Sequence, residues 1–389
     1  MTTFLGRRVP LRRIYGQHMR LTCPVNDNRY TSLASAPTYL PAQIHSPNST
    51  RKFATFQPSA NMAGLITGNK FDPNKDIPDL SGKVYVVTGG SAGIGYGIVA
   101  HILQHNPAKI YLLSNKEEHA AEAQEGLKKW GDSDKVEWRQ CNLESLKQTD
   151  QVARSLAKDL DRLDALVCNA GLGVGVYNES VEDHLDTHMQ VNHFAQAHLV
   201  FTLLPILQKT TDSRIVFQSS DVHKGAPSSI AFESIAEMNQ DIGPTYLYAR
   251  TKLAQILFAR ELVTRIKNGQ FGQVTQTQGL PFINAVHPGG VLTDQPNQAM
   301  EAYGTPAKIG FMAIKPFMKS PEEEGCRPAL FAATSADVAS ETIQAAYIVP
   351  DRKVTEPSKQ AKDEKLAQNL WKLTKEVLES KIGNLDYSM

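Results

Sequence analysis

Tyr248 and Lys252 stand four residues apart in Tyr248-Ala249-Arg250-Thr251-Lys252, within a helical pattern running from about Tyr246 to Lys267. Residues four apart share one helix face, so the phenol and the ammonium point the same way. A phenol has an ordinary pKa near ~10 and is a poor proton relay at neutral pH. Lowering that value by ~3 units takes about 4 kcal/mol of preferential phenolate stabilisation. A lysine one helical turn away supplies positive charge for the purpose. The pair Ser219-Ser220 offers a hydroxyl that can hold a substrate oxygen or the phenol for proton transfer. Taken singly, these residues have plain structural readings: a surface Tyr–Lys contact, a strand-end cap, and, for Asn192, a polar position on a solvated helix face.

The elements that must position them follow an alternating pattern. Val84-Tyr85-Val86-Val87-Thr88 reads as a buried parallel strand. It runs into Gly89-Gly90-Ser91-Ala92-Gly93-Ile94-Gly95 and then a helical stretch, Ile98 to Leu103. Glycines let a backbone turn tightly against a phosphate, and the new helix aims its free N–H groups at the anion. Between a strand and a helix, such a turn reads as a dinucleotide site. Further strands are expected at 109–113, 136–139, 163–168, 214–218, 282–286 and 345–349, with helices over 116–130, 143–160 and 184–208, the last bent at Pro205. The expected fold is α/β, a Rossmann-type doubly wound parallel sheet in one domain spanning 81–352. The charged tail 353–389 reads as helical over 366–382 and is expected to pack on the outside or at an interface.

The spacing Thr88-Gly89, Gly93, Gly95 differs from G-x-G-x-x-G and resembles the short-chain dehydrogenase/reductase family. Asn169-Ala170-Gly171 after the fourth strand, Asn192, Ser220, the Tyr248–Lys252 pair and Pro288-Gly289 with Thr293 follow in that family's order. The resemblance covers roughly residues 80–350. It implies Tyr248 as general acid/base, Lys252 lowering its pKa, Ser220 (the second of its pair) orienting the substrate oxygen, and Asn192 holding a proton-relay water. It assigns cofactor contacts to Gly89, Ser91, Gly93, Ile94, Gly95, Asn142, Leu143, Asn169, Ala170, Gly171, Tyr248, Lys252, Pro288, Gly289, Val291 and Thr293. Ser220 and Tyr248 lie 28 positions apart, about twice the family's compact spacing. The insert resembles the longer loop of retinol-dehydrogenase-like and WW-domain-oxidoreductase-like members. Residues 295–319, with Ile309 to Met318 strongly apolar, occupy the place of the family's substrate lid and suit a bulky apolar ligand.

An acid ending the second strand would bind a ribose 2′-OH and reject a 2′-phosphate. Here Ser114, Asn115 and Lys116 stand there instead, which favours NADP(H) over NAD(H). The implied partner is an apolar small-molecule carbonyl or alcohol, and the family commonly forms homodimers. Two other readings share these residues: a dinucleotide-binding sensor or scaffold without turnover, and an epimerase or dehydratase of the extended family, which would ordinarily show G-x-x-G-x-x-G.

The 389 residues are 41% hydrophobic with net charge +1, so no global field points to nucleic acid. Cys23, Cys141, Cys168 and Cys326 lack metal-ligand spacing and read as reduced thiols, with no metal site expected. No apolar run approaches the length of a membrane span. Residues 1–80 are proline- and serine-rich, with Arg7, Arg8, Arg12, Arg13, Arg20 and Arg29 against the single early acid Asp27. That composition fits disorder, an upstream extension before Met62, or a mitochondrial transit peptide. The corresponding placements are cytoplasmic or mitochondrial.

Overall fold

A computed structural model describes residues 69–272, 279–291, 318–385 and 387. Eight strands form one sheet: β1 Val84–Thr88, β2 Lys109–Ser114, β3 Val136–Gln140, β4 Ala165–Cys168, β5 Arg214–Gln218, β6 Phe282–Val286, β7 Tyr347–Val349 and β8 Lys353–Thr355. Their order is β3-β2-β1-β4-β5-β6-β7-β8. All neighbouring pairs are parallel except β7–β8. The strand order reverses direction beside β1 and β4, and there the C-terminal strand ends diverge to leave a crevice.

Alternate residues of each strand feed different cores. Val86, Leu166, Ile215, Phe217 and Ile283 face one side; Val87, Val167, Val216 and Val286 face the other. Both faces are therefore buried, which is why the strands read as continuous apolar runs rather than alternating ones. Helices α1 Gly93–Gln104, α2 Glu117–Leu127 and α6 Arg327–Thr334 contribute to the second core. The first is built with α3 Leu146–Asp159, α4 Ala195–Lys209, α5 Pro244–Lys267 and α7 Glu364–Ile382. A π-helical turn, Gln190–Phe194, leads into α4.

Two sequence expectations change. The packed domain extends upstream of residue 81: Phe71, Ile77 and Leu80 are buried, and Phe71 packs edge-on against Phe331 at 5.8 Å. The C-terminal helix is also no external tail. Leu370, Trp371, Leu373, Val377 and Leu378 are buried in the first core. Trp371 stacks on Phe258 at 5.6 Å and meets Phe201 edge-on at 5.2 Å. The charges that made this segment look peripheral occupy its other face. Thr293 and most of the 295–319 lid lie outside the described residues.

Trp371→Ala is expected to cost about 3–5 kcal/mol, because a buried aromatic is deleted from a packed cluster. Urea unfolding measures this, and a loss below ~1 kcal/mol would contradict a core role for α7.

Candidate active site

The glycine-rich turn joins β1 to α1. Gly89 and Gly93 adopt positive φ of 64° and 53°, conformations that tax other residues. A Cβ on Gly95 would lie 2.1 Å from Gly89 O and 2.5 Å from Asn169 Nδ2. The turn is therefore locked from beneath by Asn169, whose Nδ2 donates to Thr88 O at 3.0 Å. Thr88 Oγ1 in turn accepts from the backbone N–H groups of Asn169 and Ala170. Asn169-Ala170-Gly171 thus props the turn and leaves the α1 N-terminus open toward an anion.

Two adjoining clefts line the C-terminal edge of the sheet. One holds Gly89, Ser91, Ser114, Asn115, His119, Cys141, Asn142, Leu143 and Gly171. The other holds Gly93, Ile94, Gly95, Asn169, Ala170, Gln218, Ser219, Tyr248, Lys252 and Pro288. Gly89, Ala92, Ala170 and Gly171 border both, so together they make one elongated trough. Gln218 has a buried side-chain amide with neither polar atom bonded, set in the trough wall. A glycine cradle, a free helix end and an unpaired amide in one trough fit a dinucleotide. Sequence reading missed Gln218 and His119; the rule that strand C-terminal ends carry ligands would have found Gln218, the last residue of β5.

At the trough's inner end Lys252 is 2% exposed. Its Nζ donates to Gln218 O at 2.6 Å and Gln255 Oε1 at 3.2 Å, and lies 5.3 Å from the Tyr248 ring centroid. Burial lowers its pKa to about 7. Tyr248 is 7% exposed. Ser219 donates its hydroxyl proton to Lys252 O at 2.8 Å. Ser220 Oγ accepts from Val222 N at 3.3 Å and keeps its own proton for another acceptor. Ser219 lines the trough, whereas Ser220 follows it, capping the turn Asp221–Gly225 with its hydroxyl oxygen.

The other expected residues are placed as follows. Asn192 is fully buried in the π-helical turn. Its Oδ1 accepts from Leu172 N at 2.7 Å, and its Nδ2 donates to Leu172 O and Thr251 Oγ1. Its carbonyl accepts from Gln255 Nε2 at 2.9 Å. The side chain clamps the loop after β4, while the backbone carbonyl reaches Lys252 through Gln255. Lys116 takes the N-cap position of α2, exposed and outside the trough lining, whereas His119, one turn on, is among the lining residues. Val291 is 8% exposed, bridges to Lys319 and packs against Gly325, away from the lining. Gly289, at φ 86°, turns the chain over the Pro350 ring.

Residues 83–234 match the short chain dehydrogenase family. A putative mitochondrial oxidoreductase, bli-4, of Neurospora crassa is 39% identical over 327 residues, 79% of this chain and 74% of its own. The WW domain-containing oxidoreductase of Gallus gallus is 28% identical over 83% of this chain and 76% of its own. A solved putative short chain dehydrogenase from Pseudomonas syringae superposes with a TM-score of 0.52 at 22% identity, over 72% of this chain and 99% of its own. This chain belongs to the short-chain dehydrogenase/reductase family. As a member it is an oxidoreductase acting on CH–OH groups, with a nicotinamide dinucleotide as cofactor. Among the described residues no helix is long and apolar enough to cross a membrane, and Cys141, Cys168 and Cys326 are free and buried.

Gly95→Ala is expected to abolish cofactor binding, since its Cβ would overlap a backbone oxygen at 2.1 Å. A nicotinamide fluorescence titration checks this; an unchanged Kd would contradict the assignment of the turn.

Proposed function

We propose that the protein interconverts a carbonyl and an alcohol on an apolar small molecule with NADP(H), using Tyr248 as general acid/base. The observation that carries this reading is the meeting of Tyr248 and Lys252 in the trough that the glycine turn opens. The cofactor, when bound, supplies the hydride. The chain supplies the proton and the positioning. Tyr248 gives its hydroxyl proton to the carbonyl oxygen in reduction and takes it back in oxidation. The Lys252 ammonium favours the phenolate form of its neighbour. Ser220 donates to the substrate oxygen with the proton that Ser219 does not have to spare. An intact Tyr–Lys pair argues for turnover over a pure sensor, which has no use for it.

At the end of β2, Trp138 Nε1 donates to Ser114 Oγ at 2.9 Å, which leaves the hydroxyl proton of Ser114 available to a phosphate oxygen. Asn115 and His119 line the same end, and β2 carries no terminal carboxylate. These features support the 2′-phosphate of NADP(H). The apolar stretch from Ile309 to Met318 supports an apolar substrate.

Fluorescence titration is expected to give a lower Kd for NADPH than for NADH, and to justify a screen of apolar ketones and aldehydes. Equal or tighter NADH binding would overturn the 2′-phosphate argument. The kcat/KM for cofactor reports ionisations of the free enzyme. With the Lys252 pKa lowered to about 7, the charged form dominates below that pH and disappears above it. This kcat/KM is therefore expected to fall from about pH 7 upward; a flat profile to the ordinary lysine range near ~10 would contradict the role of Lys252.

For placement, the Arg-rich N-terminus and the word mitochondrial in the N. crassa relative's name support import. Residues 1–61 fused to a fluorescent protein are expected to mark mitochondria, and diffuse cytoplasmic fluorescence would contradict this.

A further inference from the structure

We propose that His223 is the positioning residue for Ser220, tying the serine's backbone to the C-terminal segment through one imidazole tautomer. The proposal rests on the reading of Ser220 as the hydroxyl that orients substrate. His223 is fully buried on the turn Asp221–Gly225, which begins directly after Ser220. Its Nδ1 lies 2.7 Å from Ser220 O. A carbonyl only accepts, so Nδ1 carries the proton. Its Nε2 lies 3.1 Å from Ser358 N. A backbone N–H only donates, so Nε2 carries none. The two partners together dictate the neutral Nδ1–H form, and a proton added at Nε2 would break the Ser358 bond.

The same loop is tied to the C-terminal segment twice more. Gln360 Nε2 donates to Pro227 O at 3.1 Å, and Asn369 Nδ2 donates to Ala231 O at 3.0 Å. Of these three ties, only the one through His223 ends on Ser220 itself. The groups facing the imidazole are Asp221 and Lys224 on its own turn, His287 after β6 and Tyr347 on β7. The Tyr347 ring stands edge-on to the imidazole at 4.9 Å, and its hydroxyl donates to Asp221 Oδ1 at 2.9 Å. His287 Nδ1 accepts from Asp221 N at 3.3 Å. Burial pushes the His223 pKa below the usual histidine range, the same direction that its two hydrogen bonds require. His223 touches no substrate in this reading. It acts by fixing the backbone from which Ser220 Oγ projects, and reacting groups tolerate little displacement.

The test compares His223→Phe, His223→Asn and His223→Gln in the full-length protein. Phe removes both bonds. Asn places a donor near the Nδ1 position and keeps the Ser220 link, whereas Gln places its amide near Nε2 and keeps the Ser358 link. His223→Phe is expected to lower kcat at least ~10-fold with cofactor Kd within about two-fold of wild type, since a 1 Å misplacement can cost ~100-fold. His223→Asn should recover most of that loss and His223→Gln should not. A role in stability alone would instead make kcat follow the melting temperature across the series. If His223→Phe does not fold, the Asn–Gln comparison decides, and equal kcat values would overturn the proposal. Ser220→Ala separates the two levels: wild-type turnover there would sink the reading of Ser220. An inactive Ser220→Ala beside a fully active His223→Phe would sink only the role of His223.

Discussion

A lysine ammonium held out of water by two uncharged oxygens is the constraint on which this site depends. Lys252 Nζ has Gln218 O and Gln255 Oε1 as its hydrogen-bond acceptors, and neither carries charge to offset its desolvation. Burial accordingly lowers its pKa to about 7. A charge kept in so poor a solvent acts strongly on its neighbours, because little water screens it. The surroundings follow from holding that one group. The end of β5 supplies Gln218 O, and α5 supplies Gln255 and, one turn before the lysine, Tyr248. Gln255 is itself fixed by the Asn192 carbonyl of the π-helical turn. That turn interrupts an otherwise regular helix, as such turns often do beside functional groups.

The rest of the fold makes this arrangement rigid. A parallel sheet covered on both faces gives each strand end a fixed height and direction, so residues at or just past the ends of six strands, β1 to β6, share one trough. The core on the α5 side is closed by α7, whose Trp371 packs against Phe258 of α5 and Phe201 of α4. His193, just before α4, joins the same cluster and bonds to Thr374 of α7. The C-terminal region therefore supports the helix that carries Tyr248 and Lys252. Through Ser358, Gln360 and Asn369 it also supports the loop that follows Ser220.

Much of this was legible in the sequence, for identifiable reasons. β5 and β6 fall at the expected residues because their apolar runs are bounded by charge and turn residues. The trough-forming Gly89, Gly93, Gly95 and Asn169 were legible because close backbone approach admits few residue types. What the sequence did not disclose depends on direction rather than type. Lys116 stands exposed at the start of α2, and His119, one turn on, is the residue that lines the trough. Asn192 bonds to Leu172 and Thr251 through its amide, a partnership no spacing reveals. Strand β8 is three residues long and carries Lys353, too short and polar to signal pairing. The charges of α7 hid a buried face that only the 3.6-residue period of Leu366, Leu370, Leu373 and Val377 discloses.

The central claim is that Tyr248 moves the proton while the rest of the trough binds cofactor. Tyr248→Phe keeps the ring and removes only the hydroxyl. Its cofactor Kd and its rate of hydride transfer to an apolar carbonyl substrate, measured side by side with wild type, test that claim most directly. The account predicts a Kd within about two-fold and a rate lower by ~100- to 10,000-fold, the usual worth of a positioned acid or base. Hydride transfer at the wild-type rate in Tyr248→Phe would contradict it.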